Sequence, residues 1–141
     1  MKIAIYPGSF NSFHEGHKSI IEKALTIFEL IYVVVTKNPD KTTVNNFKAN
    51  KEIIENHFKN NNKVIVLIND SQLTGILANE LGATFLIRSS RSNQDFEYEL
   101  NLANANHFIN NNLETIFFFS EYDHRNISST VIRHKKAMKP N

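Results

Sequence analysis

The chain has 141 residues, 41% of them hydrophobic, which suits one compact domain with a single core. No apolar run approaches the roughly 20 residues that span a bilayer, and the lack of cysteine excludes disulfides, thiolate metal sites and a cysteine nucleophile. A formal charge of +2 on scattered lysines forms no basic stripe for nucleic acid, and the absence of a signal-peptide pattern fits a reducing cytoplasm.

In chain order, strands are predicted over 2–6, 31–36, 64–68, 84–87 and 115–119. These runs are short, β-branched or aromatic, and nearly continuous in hydrophobicity, as in parallel strands covered on both faces. Helical stripes lie between them. Ile20, Ile21, Ala24, Leu25 and Phe28 form the first; Ile53, Ile54, His57 and Phe58 the second. Leu73, Ile76, Leu77 and Leu81 form a third that Gly82 stops, and Phe96, Leu100, Ala103 and Phe108 a fourth, with Phe96 and Leu100 expected in the core. A last short helix is expected to begin near Ser129. The asparagine runs 60–62 and 110–112 read as turns. This alternation predicts an α/β fold: one Rossmann-like, doubly wound domain over 1–141 with a five-stranded parallel sheet.

In such sheets ligands bind beyond the carboxyl ends of the strands, and each chemically suggestive segment here follows a strand end. After the first strand come Pro7-Gly8-Ser9-Phe10 and then His14-Glu15-Gly16-His17. Gly8 permits a tight turn, and Gly16 removes bulk where helical amides face a phosphate. His17 lies four residues before Ile21 and seven before Ala24, so it shares their inward face. The spacing alone equally fits a packed histidine and ordinary turn glycines. The four arginines, Arg88, Arg91, Arg125 and Arg133, fall in two short segments, where a planar fork suits phosphate.

Tyr6-Pro7-Gly8-Ser9-Phe10 followed by His14-Glu15-Gly16-His17 resembles the signature of the nucleotidylyltransferase superfamily with its HxGH motif. The run Leu86-Ile87-Arg88-Ser89-Ser90-Arg91, then Asp95-Phe96-Glu97-Tyr98-Glu99, then Leu102-Ala103 and Asn106, resembles the phosphopantetheine adenylyltransferase family in one register. The resemblance implies that His17 stabilises the transition state at the α-phosphate of ATP. It implies ATP contacts from Ser9, Phe10 and His17, from Ser89, Ser90, Arg91 and Glu99, and from His124, Arg125, Asn126, Ile127, Ser128, Ser129 and Thr130. Substrate contacts are implied for Ser9, Lys41, Thr74 and Arg88. It also implies a Mg²⁺ ion carried mainly by the ATP phosphates, ATP and phosphopantetheine as partners, and a homo-oligomer, a hexamer in relatives.

Plainer readings exist for each. Lys41 fits a solvated loop, Arg88 and Arg91 fit ion pairs with Glu97 or Glu99, and Ser128-Ser129-Thr130 fits a helix N-cap. Ser89 stands where the family usually has glycine, Asn11 replaces an expected aspartate, and His124 falls where an aromatic residue often lines the adenine site. His14 and the 127–133 segment lean toward the nicotinate mononucleotide adenylyltransferases. A non-catalytic nucleotide-binding protein of the same fold is the alternative of a different class.

Overall fold

A computed structural model describes residues 1–37, 46–90, 96–119 and 124–139, with Ser90 and residues 124–127 described by their backbone alone. In chain order the elements are β1 (Ile3–Gly8), α1 (Glu15–Leu25), β2 (Leu30–Thr36), α2 (Phe47–His57) and β3 (Val64–Asn69). They continue with α3 (Thr74–Leu81), β4 (Phe85–Ser90), α4 (Phe96–Ile109), β5 (Glu114–Phe119) and α5 (His124–Ala137). The strands form one parallel sheet in the order β3-β2-β1-β4-β5. This is the Rossmann-like α/β fold expected from the alternating pattern.

Side chains alternate between the two faces of each strand, so both faces need cover. Ala4, Tyr6, Ile31, Val33, Val35 and Ile87 pack with Ile20, Ile21 and Ala24 of α1 and Ile54 of α2. On the other face Ile5, Val34 and Leu86 pack with Ala78 of α3 and with Leu113. Both ends that matter for chemistry run further than hydrophobicity indicated. β1 continues through Pro7 and Gly8, paired with Val34 and Val35, and β4 continues through Arg88, Ser89 and Ser90, paired with Phe117, Phe118 and Phe119. Backbone pairing with the neighbouring strand holds these residues extended whatever their polarity.

The first helical stripe is inward as expected, with Ile20, Ile21, Ala24 and Phe28 buried and Leu25 partly so. The others need correction. In α2 the inward positions are Asn50 and Ile54, with Phe58 just beyond the helix, while Ile53 and His57 are exposed. In α3, Leu77 and Leu81 pack inward, whereas Leu73 and Ile76 face out. Gly82 does end α3, at φ +73°.

The largest departure is α4. Phe96 is 64% exposed and Leu100 50%, so neither is core, and Phe108 is 91% exposed. Glu99 and Asn106 turn inward, with Asn110 buried just after the helix. A charged partner on β4 sets this rotation, described below, and overrides apolar periodicity. α5 begins at His124, so Ser128, Ser129 and Thr130 sit in its second turn and not at an N-cap near Ser129.

Candidate active site

The strand order reverses direction at β1: β2 lies on one side and β4 on the other. A crevice opens at such a switch point, beyond the carboxyl ends of the two central strands. Ser9 and Phe10 leave β1 there, and Arg88, Ser89 and Ser90 close β4 beside them.

Phe10, rather than Gly8, takes the unusual backbone at the β1 exit. It sits at φ +48° with its ring buried, while Gly8 has no positive φ. A side chain in the left-handed region costs about 1–3 kcal/mol unless surrounding packing holds it. Here Phe10 packs edge-on to Tyr6 at 5.2 Å and to His17 at 5.1 Å. A Cβ on Gly8 would lie 3.0 Å from the tip of that ring, so glycine admits the aromatic group. Phe10 therefore presents its ring to the core. Ser9 is exposed, and its carbonyl accepts a long 3.5 Å contact from Asn50 Nδ2 on α2.

His17 sits at the third position of α1, with its ring beside Phe13 (5.6 Å, 11° between planes) and His14 (3.8 Å, 26°). Phe13 is wedged by His57 at 5.1 Å and Phe58 at 6.4 Å. His14 is the N-cap: its Nδ1 accepts from the Gly16 amide at 3.1 Å, and its own amide donates to His17 Nδ1 at 3.2 Å. A ring nitrogen that accepts carries no proton, so neutral His17 bears its hydrogen on Nε2.

Arg88 is clamped. Its Nε donates to Glu99 Oε2 at 2.9 Å, Nη2 to Oε1 at 2.8 Å, and Nη1 to the Pro7 carbonyl at 3.2 Å. The side chains are 22% and 8% exposed, so this is a partly buried fork and not the surface pair that sequence spacing allowed. Burial alone would lower the Arg88 guanidinium, but the Glu99 hydrogen bonds and charge outweigh it and hold the group above its ordinary range. Burial raises the Tyr6 phenol, against the opposing pull of its Ser89 hydrogen bond and the Arg88 charge. Glu99 and Arg88, given separate ligands by resemblance, thus face each other.

Thr74 opens α3 as expected. Its neighbour Gly75 lies against Ile109 and the Asn106 carbonyl, and accepts from Asn110 Nδ2 at 3.1 Å. Thr74 is therefore beside the far half of α4, about 15 Å along that helix from Glu99 at 1.5 Å per residue. Ser128, Ser129 and Thr130 are exposed on α5, which follows β5. The side chains of Ser90, His124, Arg125, Asn126 and Ile127, and Lys41 and Arg91 entirely, lie outside the described residues. Among the described residues no group of three or more histidines or carboxylates gathers to hold a metal.

The cytidylyltransferase-like family matches residues 5–135. A phosphopantetheine adenylyltransferase from Mycoplasma capricolum subsp. capricolum is 45% identical over 133 residues, 94% of this chain and 95% of its own. Another, from Thermotoga neapolitana, is 34% identical across 93% of this chain and 81% of its own. This chain belongs to the phosphopantetheine adenylyltransferases, within the cytidylyltransferase-like family. Its fold is also that of a lipopolysaccharide core biosynthesis protein from Thermoplasma volcanium, with a TM-score of 0.60 over 87% of this chain and 98% of the other, at 13% identity.

For a phosphopantetheine adenylyltransferase, Ser89 is the informative departure. It lies in β4 opposite Phe118 and bonds the Tyr6 hydroxyl, so its extended backbone has no need of glycine. Four residues around the site were missed in the sequence: the His14 cap, the Phe13 stack, the Asn50 tether and the Tyr6 partner. The His14–His17 spacing matches a capping box, but histidine is not the usual side chain for either position. The other three depend on contacts between distant segments, which local pattern does not carry.

Proposed function

We propose that this chain transfers the adenylyl group of ATP to the phosphate of 4′-phosphopantetheine, giving dephospho-coenzyme A and pyrophosphate. The observation that carries this reading is His17 in the first turn of α1, just beyond the end of β1, with its Nδ1 held by the His14 amide, in a chain of this family. A phosphate oxygen of the acceptor attacks the α-phosphorus, and the bond to the β-phosphate oxygen breaks, releasing pyrophosphate. The nucleophile is already anionic, so no general base is required. In-line positioning and neutralisation of charge at the α-phosphate remain as the work of the protein.

In this reading His17 donates to the α-phosphate oxygen as charge builds, and Ser9 and Lys41 hold the attacking phosphate. Arg88 lies on the acceptor side of the crevice, with Glu99 fixing its fork. The separation of Thr74 from Glu99 along α4 suits an elongated acceptor. Arg91, Ser90 and the hydroxyls of Ser128, Ser129 and Thr130 in the second turn of α5 grip the ATP phosphates. Mg²⁺ would enter on those phosphates and neutralise their charge. The exposed apolar residues of α3 and α4, including Ile76, Leu100 and Phe108, support a homo-oligomer, for which the family resemblance implies a hexamer. No helix among the described residues is long and apolar enough to cross a membrane, and a cytoplasmic location is part of the proposal.

The test is pyrophosphate release from ATP, with phosphopantetheine and nicotinate mononucleotide supplied in parallel. Release with phosphopantetheine alone is expected. Release with the mononucleotide alone would reassign the acceptor, and none with either from folded protein would favour a nucleotide-binding role.

A further inference from the structure

We propose that Lys23 is a positioning residue for the nucleotide: its ammonium ties the last turn of α1 to the end of β5, where the chain leaves the sheet toward α5. The geometry stands by itself, and its consequence for ATP rests on the adenylyltransferase reading.

α1 follows β1 and leads back to the parallel strand β2, so its first turn lies beyond the carboxyl ends of the strands. A helical side chain leans toward the N-terminus of its helix, so the Lys23 stem points back toward those ends. Its Nζ donates to the Phe119 carbonyl at 2.6 Å, across 96 positions of sequence. Local partners do not account for this direction. A lysine in the last turn commonly serves the free carbonyls of its own helix. Here Thr26 occupies the Lys23 carbonyl with its amide at 3.1 Å and its hydroxyl at 2.6 Å. The amides of Ile27 and Phe28 take the Ala24 carbonyl at 3.0 and 2.9 Å. The neighbouring carboxylates are engaged too: Glu22 faces Lys18 at 3.9 Å, and Glu29 accepts from the Lys2 amide at 3.0 Å. The Lys23 ammonium is committed to β5.

β5 is an edge strand beside β4, and its last residue, Phe119, lies opposite the last of β4, Ser90. The Phe119 ring is 72% exposed, so burial of that side chain does not hold the strand end. The bond from Lys23 does, and its charge makes it stronger than a neutral one. Both segments read as gripping the ATP phosphates leave the sheet from this pair. Ser90 leads to Arg91, and Phe119 to α5 with Ser128, Ser129 and Thr130. His17 precedes Lys23 by six residues on the same helix, about 9 Å along its axis. Lys23 therefore fixes the ends of β4 and β5 in the frame that carries His17. Without it the edge frays, and ATP must order that end as it binds, a cost subtracted from affinity. Once ATP is bound the geometry is restored, so KM rises while kcat holds.

The experiment compares wild type, K23M and K23R. Methionine keeps the length of the stem without the ammonium, and arginine keeps both charge and donors. Amide hydrogen exchange without ligand reads the strand end. Steady-state kinetics and calorimetric titration with ATP read the nucleotide site. In K23M, exchange over 116–119 and in α5 should quicken, with the β1–β2 ladder unchanged. The KM for ATP should rise about 5- to 20-fold, as for loss of one bond to a charged group. Both kcat and the KM for phosphopantetheine should stay within about threefold of wild type. K23R should recover both the exchange pattern and the KM for ATP.

Unchanged exchange in K23M beside a raised KM would overturn the proposal, because Lys23 would then touch the nucleotide itself. Faster exchange with an unchanged KM would overturn it too, leaving a tie that serves stability alone. So would a fall in kcat larger than the rise in KM, or a K23R variant that restores neither quantity. If K23M does not fold, K23Q, whose side chain is one bond shorter than lysine, is read the same way. Wild type that releases no pyrophosphate would sink the adenylyltransferase reading instead. Exchange and calorimetric ATP affinity would then still decide whether Lys23 positions the end of β5 for the nucleotide.

Discussion

At the scale of single residues, the His17 imidazole touches Phe10, Phe13 and His14, and its orientation follows from these contacts and from the His14 amide. H17A should therefore stay folded, losing about 1 kcal/mol or less from the cap. Its turnover should drop about 10²–10³-fold, as for removal of one preorganised donor. Steady-state kinetics with matched circular dichroism would check both, and unchanged turnover would remove His17 from catalysis. Tyr6 allows a different test. Its phenol is raised above 10.0 by burial, so the folded state keeps the proton after the unfolded chain has released it. The stability from this group is complete below about pH 10 and is lost as pH climbs through the folded value. Chemical denaturation across that range should show a steeper decline for wild type than for Y6F.

Among elements, the clamp between β4 and α4 sets which face of α4 turns inward. Glu99 meets Arg88 through two bonds, and Arg88 also reaches the end of β1 at Pro7. Removing one partner of such a pair leaves a partly buried charge without compensation, so E99Q should lose about 3 kcal/mol in urea denaturation. A loss under about 1 kcal/mol would mean that Arg88 is solvated well enough without Glu99. The end of α3 isolates a backbone effect. Gly82 sits at φ +73°, and a Cβ added there would meet nothing within 4 Å. G82A should cost about 1 kcal/mol from the left-handed backbone alone, read as a fall in the denaturation midpoint.

Taken as a whole, the molecule leaves apolar side chains uncovered on α3 and α4: Leu73 and Ile76 on the former, Phe96, Leu100 and Phe108 on the latter. Large exposed apolar side chains are candidates for contact between chains where they gather into a patch. Sedimentation equilibrium should find an assembly, a hexamer on the present reading. A monomer at micromolar concentration would sink that assignment and leave the outward rotation of α4 without a partner.

Strand alternation, the first helical stripe and the glycine stop at Gly82 were all legible in the sequence, because each depends on residues within a few positions of one another. So was the order of the motif residues, which named the family. The extent of β1 and β4, the inward face of α4 and the start of α5 were not. For the strands and α4 the outcome turns on partners outside the local pattern: Val34 and Val35 beside Pro7 and Gly8, and Arg88 beside Glu99. Ser9 and Arg88 are 79 positions apart, and only the strand order puts their strand ends side by side. The tautomer of His17 was the least legible of all. It depends on one amide hydrogen bond, whose direction exists only once the turn before α1 has folded.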